Sequence, residues 1–243
     1  MKPIELAGRY SLMPNCLGYC GGSDFSKVFK RYLDGTASES ELKLAIKKFK
    51  GHYPYLKTIA RANGIKNPFD KRIIEAFWIG DRLLEQVGRA DVIRLIRKFS
   101  KNAEMNKKRA QEKIDNLPDG ILLHHSFNSL YLNFVGDRVE RTVDNFDRCR
   151  IGWGIVRTVK KSTAKVCYQK IIKRNGKYKF SKSVEKYFRR TMDGITPEPK
   201  LASGDIVSLH WGLIVQKLNK KQLAELEKYT GKNMEIINGS KNR

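Results

Sequence analysis

The chain has 243 residues, of which 40% are hydrophobic and 10% aromatic, enough to bury a core and too many for a disordered segment. It carries 49 Lys+Arg against 25 Asp+Glu, a formal net charge of +24, and such a surface attracts nucleic acid or an acidic partner. No apolar run approaches the ~20 residues of a helical membrane span. The start, Met1-Lys2-Pro3-Ile4-Glu5, lacks the apolar region of a signal peptide, so a cytoplasmic location is expected. The four cysteines, Cys16, Cys20, Cys149 and Cys167, are then expected as reduced thiols or ligands.

Taken in order, Tyr10 to Asp24 reads as a loop, because Pro14, Gly18, Gly21 and Gly22 crowd a short stretch. Phe25, Val28, Phe29, Tyr32 and Leu33 then fall at helical spacing. Ser38-Glu39-Ser40-Glu41 predicts a capping box opening a second helix. A third begins near Pro54, and a fourth follows Asp70 with Ile73, Ile74, Phe77, Trp78 and Leu84 inward and is expected to stop at Gly88. Val92, Ile93, Ile96 and Phe99 mark a fifth. Residues 100–116 are polar and read as a linker or as the solvated extension of that helix.

Leu117 to Phe127 is the seam where the periodicity changes, and it holds His124 and His125 side by side. Beyond it, Phe127 to Val135 predicts a strand, on which the two histidines would point to opposite faces. Further strands are predicted over Arg150–Val159, Val166–Ile172 and Ser203–Gly212, with Asn175-Gly176 as a tight hairpin turn. A closing helix from Lys220 is expected to stop at Gly231. The fold class is therefore α+β. A helical region, 1–116, packs on a β-rich region, 117–243, with a small, SH3-like barrel-like sheet and a closing helix, the two forming one cooperative unit.

Four stretches carry a resemblance: Pro14-Asn15-Cys16-Leu17-Gly18-Tyr19-Cys20-Gly21, Phe69 to Gly80, His124-His125-Ser126-Phe127 and Leu209-His210-Trp211. Together they resemble an uncharacterised bacterial and archaeal family classed as a domain of unknown function. Some of its members lie beside nickel–iron hydrogenase and its maturation genes. The resemblance implies an accessory or assembly role with a hydrogenase-related protein partner and no established reaction. The chain departs from the family pattern after Trp211. An acidic residue and a further Trp and Cys are expected there, whereas Gly212-Leu213-Ile214-Val215-Gln216 follows.

Three candidate sites emerge. Cys16, Cys20, His124 and His210 offer the soft and borderline donors that suit zinc or nickel, although their spacing matches no standard finger. Cys20, beside Gly21-Gly22 and ahead of a helix, is a candidate nucleophile. His125 or His210 would be its base, and Asp119 or Asp205 would orient that base. Residues 151–190 hold thirteen Lys+Arg and one acid, Glu185, with aromatics interleaved. This suits phosphate neutralisation by Arg157, Lys160, Lys161, Lys173, Arg174, Lys177 and Lys179, with nucleic acid or the ribosome as partner. That role requires these cations to gather on one face, far from Glu185. The alternation at Lys177-Tyr178-Lys179-Phe180 would instead turn the rings inward and leave only the lysines exposed. An accessory binding protein is the leading expectation; a nucleic-acid binder and a cysteine/histidine enzyme are the alternatives.

Overall fold

The computed structural model describes residues 1–240. The chain opens on α1 (Pro3–Cys16), which starts with proline in its first turn and buries Ile4, Leu6, Ala7, Tyr10, Leu12 and Met13. The loop expected from Tyr10 begins only at Leu17. The apolar residues from Ile4 to Met13 carry the helix past the point where glycine and proline suggested a break. Pro14 fits the last turn, and Gly18, at φ +71°, ends the helix by donating its N–H to Asn15.

The helices α2 (Phe25–Leu33), α3 (Glu39–Lys47) and α4 (Tyr53–Ala62) follow as the periodicity predicts, whereas α5 (Lys71–Trp78) starts where expected but stops short of Gly88, because the chain breaks at Gly80 and Leu84 is buried from a separate short turn. The capping box between Ser38 and Glu41 is formed, and Asp70 caps α5 by accepting from the N–H of Arg72. The helix ends at Gly80, whose φ of +111° lets the backbone press on the ring of Tyr229. A Cβ there would lie 2.3 Å from a ring carbon. After a short 3₁₀ turn come α6 (Arg89–Lys101) and α7 (Lys107–Asp115), so part of the polar stretch read as a linker is a helix that buries Ala110 and Ile114.

The predicted strand from Phe127 to Val135 is not formed. Residues Phe127–Tyr131 make one wide helical turn, entirely buried, followed by Asn133 and Phe134 at φ of +52° and +73°. The carbonyls this irregular backbone leaves unpaired are taken by Arg109, whose Nη2 lies 2.5, 2.9 and 2.8 Å from the oxygens of Leu132, Asn133 and Phe134. The short α8 (Val143–Cys149) then delivers Cys149 to the interior.

Five strands close a barrel: β1 (Gly152–Val159), β2 (Thr163–Tyr168), β5 (Val184–Arg189), β6 (Ile206–His210) and β7 (Leu213–Lys217), in the order β1-β2-β5-β7-β6. All their pairings are antiparallel except that of β5 with β7, which joins Arg189 to Leu213. Between β2 and β5, β3 (Ile171–Arg174) and β4 (Lys177–Phe180) form a separate hairpin on the expected Asn175-Gly176 turn. The closing helix α9 (Lys220–Gly239) runs past Gly231, because nothing crowds that residue and the buried Asn233 and Met234 continue the packing face.

One apolar cluster runs through the helices, the irregular segment, the hairpin and α9, and takes in Trp211, Leu213 and Val215 of the barrel. A second, smaller one fills the barrel with Val156, Val166, Tyr168, Phe188, Val207, Leu209 and Ile214. No helix among the described residues is long and apolar enough to cross a membrane.

Candidate functional site

Where the helical layer meets the barrel, the interior is polar. His52 precedes α4, Trp78 ends α5, His125 precedes the wide turn, Cys149 ends α8 and His210 ends β6, and all five are buried. Trp78 is the hub. Its ring lies 4.8 Å from that of His52, 4.6 Å from His125, 5.6 Å from His210 and 4.8 Å from Tyr10, on which it stacks. The rings of His125 and His210 meet edge to face at 5.1 Å.

The donors converge on one point. His125 Nε2 is 3.6 Å from Cys149 Sγ, and His125, Cys149 and His210 each place a ligand atom within 4.8 Å of the others. Among the described residues this is the one group of three or more His, Cys, Asp or Glu side chains so arranged. His210 Nδ1 is 2.7 Å from the Tyr10 carbonyl, which can only accept, so this nitrogen carries the proton and Nε2 holds a lone pair. Neither that Nε2 nor Nδ1 of His125 has a hydrogen-bond partner among the described residues.

Burial keeps every group here uncharged. It pulls His210 down to about 4 and His52 to about 3, and holds His125 well below the usual imidazole range, with the neighbouring His210, His124 and His52 adding to the effect. The same burial pushes the Cys149 thiol far above the ordinary range. The result is two neutral imidazoles and one thiol, the protonation state in which a divalent ion would meet its donors before displacing the thiol proton.

The candidate residues read from the sequence divide. His210 and His125 join the cluster; Cys16, Cys20 and His124 do not. Cys16 donates its S–H to Asp193 at 3.2 Å on a more open part of the surface. His124 is a satisfied core histidine. Its Nδ1 lies 2.9 Å from Ser126 Oγ and its Nε2 3.4 Å from the Trp78 carbonyl, so the two adjacent histidines are separated by an irregular turn rather than by strand alternation.

Cys20 borders a different cleft, of about 230 Å³, with Lys50, Glu104 and Arg138 in its walls. Burial raises its thiol, opposed by the backbone N–H groups of Gly51, Gly21 and Lys50, and no imidazole hydrogen-bonds to it among the described residues. It does share a neighbour with the cluster. A side chain at Gly51 would lie 3.6 Å from Cys20 Sγ and 3.8 Å from Asn128 Nδ2, and that amide is 3.9 Å from Cys149 Sγ. Asp119 pairs with Arg89 at 2.9 Å and Asp205 with Lys217 at 3.0 Å, and neither orients a histidine.

The basic residues stand on two separate sheets. Arg157, Lys160 and Lys161 lie at the exposed β1–β2 end of the barrel, whereas Lys173, Arg174, Lys177 and Lys179 lie on the hairpin clamped to α9 through Tyr178 and Asn238. The expectation that Arg157 stands far from Glu185 is overturned. Its Nε is 3.7 Å from that carboxylate, which Lys165 also reaches at 2.7 Å, because the antiparallel pairing of β2 with β5 brings the one acid among its cations. On the hairpin the lysines are exposed while Tyr178 is buried and Phe180 half-buried, as the alternation predicts.

Cys149, His52 and Asn128 were not singled out in the sequence. Cys149 lies 24 residues from His125 and 61 from His210, so no local motif marks it. What three of the four quoted stretches share becomes visible in space: Trp78, His125 and His210 come from them and touch, whereas Cys20 of the fourth stands outside the cluster.

Residues 3–243 match the model of a family of unknown function, DUF6390, and the chain belongs to that family. No curated protein and no solved structure matches the chain.

Proposed function

We propose that the protein is an accessory factor that binds one borderline divalent ion, zinc or nickel, through His125, Cys149 and His210. The observation that carries this reading is the 3.6 Å separation of His125 Nε2 and Cys149 Sγ. Tetrahedral coordination at metal–nitrogen and metal–sulfur lengths of about 2.0 and 2.3 Å sets a nitrogen–sulfur edge of roughly 3.5 Å, close to that separation. His210 supports it independently: it gives its Nδ1–H to a backbone carbonyl and keeps Nε2 free, the arrangement by which an imidazole ligand is oriented.

Three protein donors leave a fourth position for an exogenous ligand, which suits an ion that is taken up and passed on. In the nickel–iron hydrogenase setting that the family resemblance implies, nickel would be the cargo and an assembly partner its recipient.

The test is the zinc and nickel content of the purified protein after loading and desalting, by elemental mass spectrometry. About one ion per chain is expected, with none retained by Cys149→Ser or His210→Ala. Equal metal in the parent and both variants would refute the assignment.

A further inference from the structure

We propose that the cleft at the mouth of the barrel binds a small molecule bearing an oxyanion, a phosphate or a carboxylate, through Nη1 of Arg150. The cleft shares His210 with the metal site, and the inference does not require an ion to be bound there.

Arg150 is 1% exposed, an extreme position for a guanidinium. Most of it is accounted for. Its Cζ lies 4.9 Å from the centre of the Trp153 ring and 5.3 Å from that of Phe180, two rings that meet each other edge to face. Its Nε donates to Asp147 at 3.1 Å, and Nη2 donates to the Gln169 carbonyl at 2.5 Å while also reaching Asp147. The two N–H bonds of Nη1 have no acceptor among the described residues. A buried, charged donor left in this state is costly, and native structures supply such groups with a partner.

The surroundings supply room for one. Arg150 lines a cleft of about 450 Å³, within the range of small-molecule sites. Gly152 lines it too, and a Cβ there would stand 3.7 Å from Nη1 and 3.5 Å from Leu209. Nη1 is itself buried, so an oxyanion reaches it when the guanidinium shifts toward the cleft, and the missing side chain at Gly152 leaves room for that shift.

The charge around the cleft also favours an anion. Of its acids, Asp147 is held by Arg150 and by the Ile171 N–H, and Glu185 by Lys165 and Arg157, which leaves Asp144. Arg148, Lys170 and Lys186 line the same cleft and make no ion pair among the described residues. Tyr168 and Phe188 add an apolar wall, so the ligand is an organic anion or a group of comparable size rather than a bare halide.

The experiment is calorimetric titration of the full-length protein at low ionic strength with inorganic phosphate, AMP and citrate in turn. Melting temperature serves as the control for folding. Saturable binding of at least one probe is expected, and which probe binds separates phosphate from carboxylate. Gly152→Val should abolish that binding with the melting temperature retained, since valine suits a strand and fills the room left by glycine. The double variant Lys170→Gln/Lys186→Gln, at positions outside the core, should weaken it about tenfold, the equivalent of one charge-assisted hydrogen bond. The proposal is overturned if none of the three probes binds. It is equally overturned if the lysine variant, or a folded Gly152→Val, binds as tightly as the parent.

Discussion

His210 gives its Nδ1–H to the carbonyl of Tyr10 at 2.7 Å, a carbonyl that Pro14, four residues further along α1, has no N–H to claim. A proline that costs the helix one internal bond thereby frees the Tyr10 carbonyl, the acceptor that sets the tautomer of a histidine 200 residues beyond that tyrosine. Pro14→Ala restores the helical N–H and makes it compete for that oxygen. The expected outcome is a protein at least as heat-stable as the parent whose zinc affinity falls about tenfold, the lower range for loss of a group that orients a metal ligand. Competition titration against a chromophoric chelator reads it; unchanged affinity would dissociate Pro14 from the site.

All four histidines are buried, and that makes the fold acid-sensitive in a defined window. Desolvation lowers His124 and His210 from 6.5 to about 4 and His52 to about 3, and takes His125 well below its usual range. The folded state therefore binds fewer protons than the unfolded one. The stability these histidines contribute is complete above about pH 6.5 and is lost as the pH falls toward 4. Each contributes a slope of about 1.4 kcal/mol per pH unit inside the window, so four together reach roughly 5.5, comparable with the stability of a whole domain. Urea denaturation at a series of pH values should show a steep fall between pH 6.5 and 5. A flat profile over that range would contradict it.

The two regions share their interior. Tyr10 donates its hydroxyl proton to Ser208 at 2.9 Å and accepts from Gln216 at 3.0 Å, and Trp78 packs on His125 and His210. A fragment comprising residues 1–116 would expose those faces, and it is expected to be insoluble or molten, binding a hydrophobic dye and lacking a cooperative melt. A sharp, reversible transition from that fragment would show that the helical region folds alone.

Closure of the barrel depends on Gly154 in β1. A Cβ there would stand 2.5 Å from the Cys167 carbonyl oxygen and 2.6 Å from Val166, backbone and core atoms with little freedom to retreat. Gly154→Ala is expected to cost about 2 kcal/mol, in the range for overpacking a filled interior, read as a lowered denaturation midpoint. A midpoint equal to that of the parent would show that the strand gives way freely.

The helices from Phe25 to Lys101 were legible because their apolar residues recur at helical spacing and their caps are local. The hairpin at Asn175-Gly176 was legible for a similar reason. The segment after His125 was not. Its run from Phe127 to Leu132 is buried throughout, and such a run has no exposed alternation by which to tell a strand from an irregular turn. The end of α1 was misread because Pro14 and Gly18 signal a loop by type, whereas here one closes the helix and the other exposes a carbonyl.

The site was half legible. Rarity drew attention to His125 and His210, while Cys149 enters only through the way α8 packs under β6, a relationship with no trace in spacing. Cys16 and Cys20, which stand together in the sequence, point to different surroundings once α1 ends between them.

The central claim, a Cys–His₂ ion site, is tested most directly with cobalt(II) as a spectroscopic stand-in for zinc. Titration of the apo protein should saturate at about one ion per chain. It should produce a near-ultraviolet thiolate-to-cobalt band together with the intense visible bands of tetrahedral coordination. Cys149→Ser should lose the thiolate band, while Cys16→Ser and Cys20→Ser should keep it. A thiolate band that survives Cys149→Ser, or a titration that never saturates, would contradict the account.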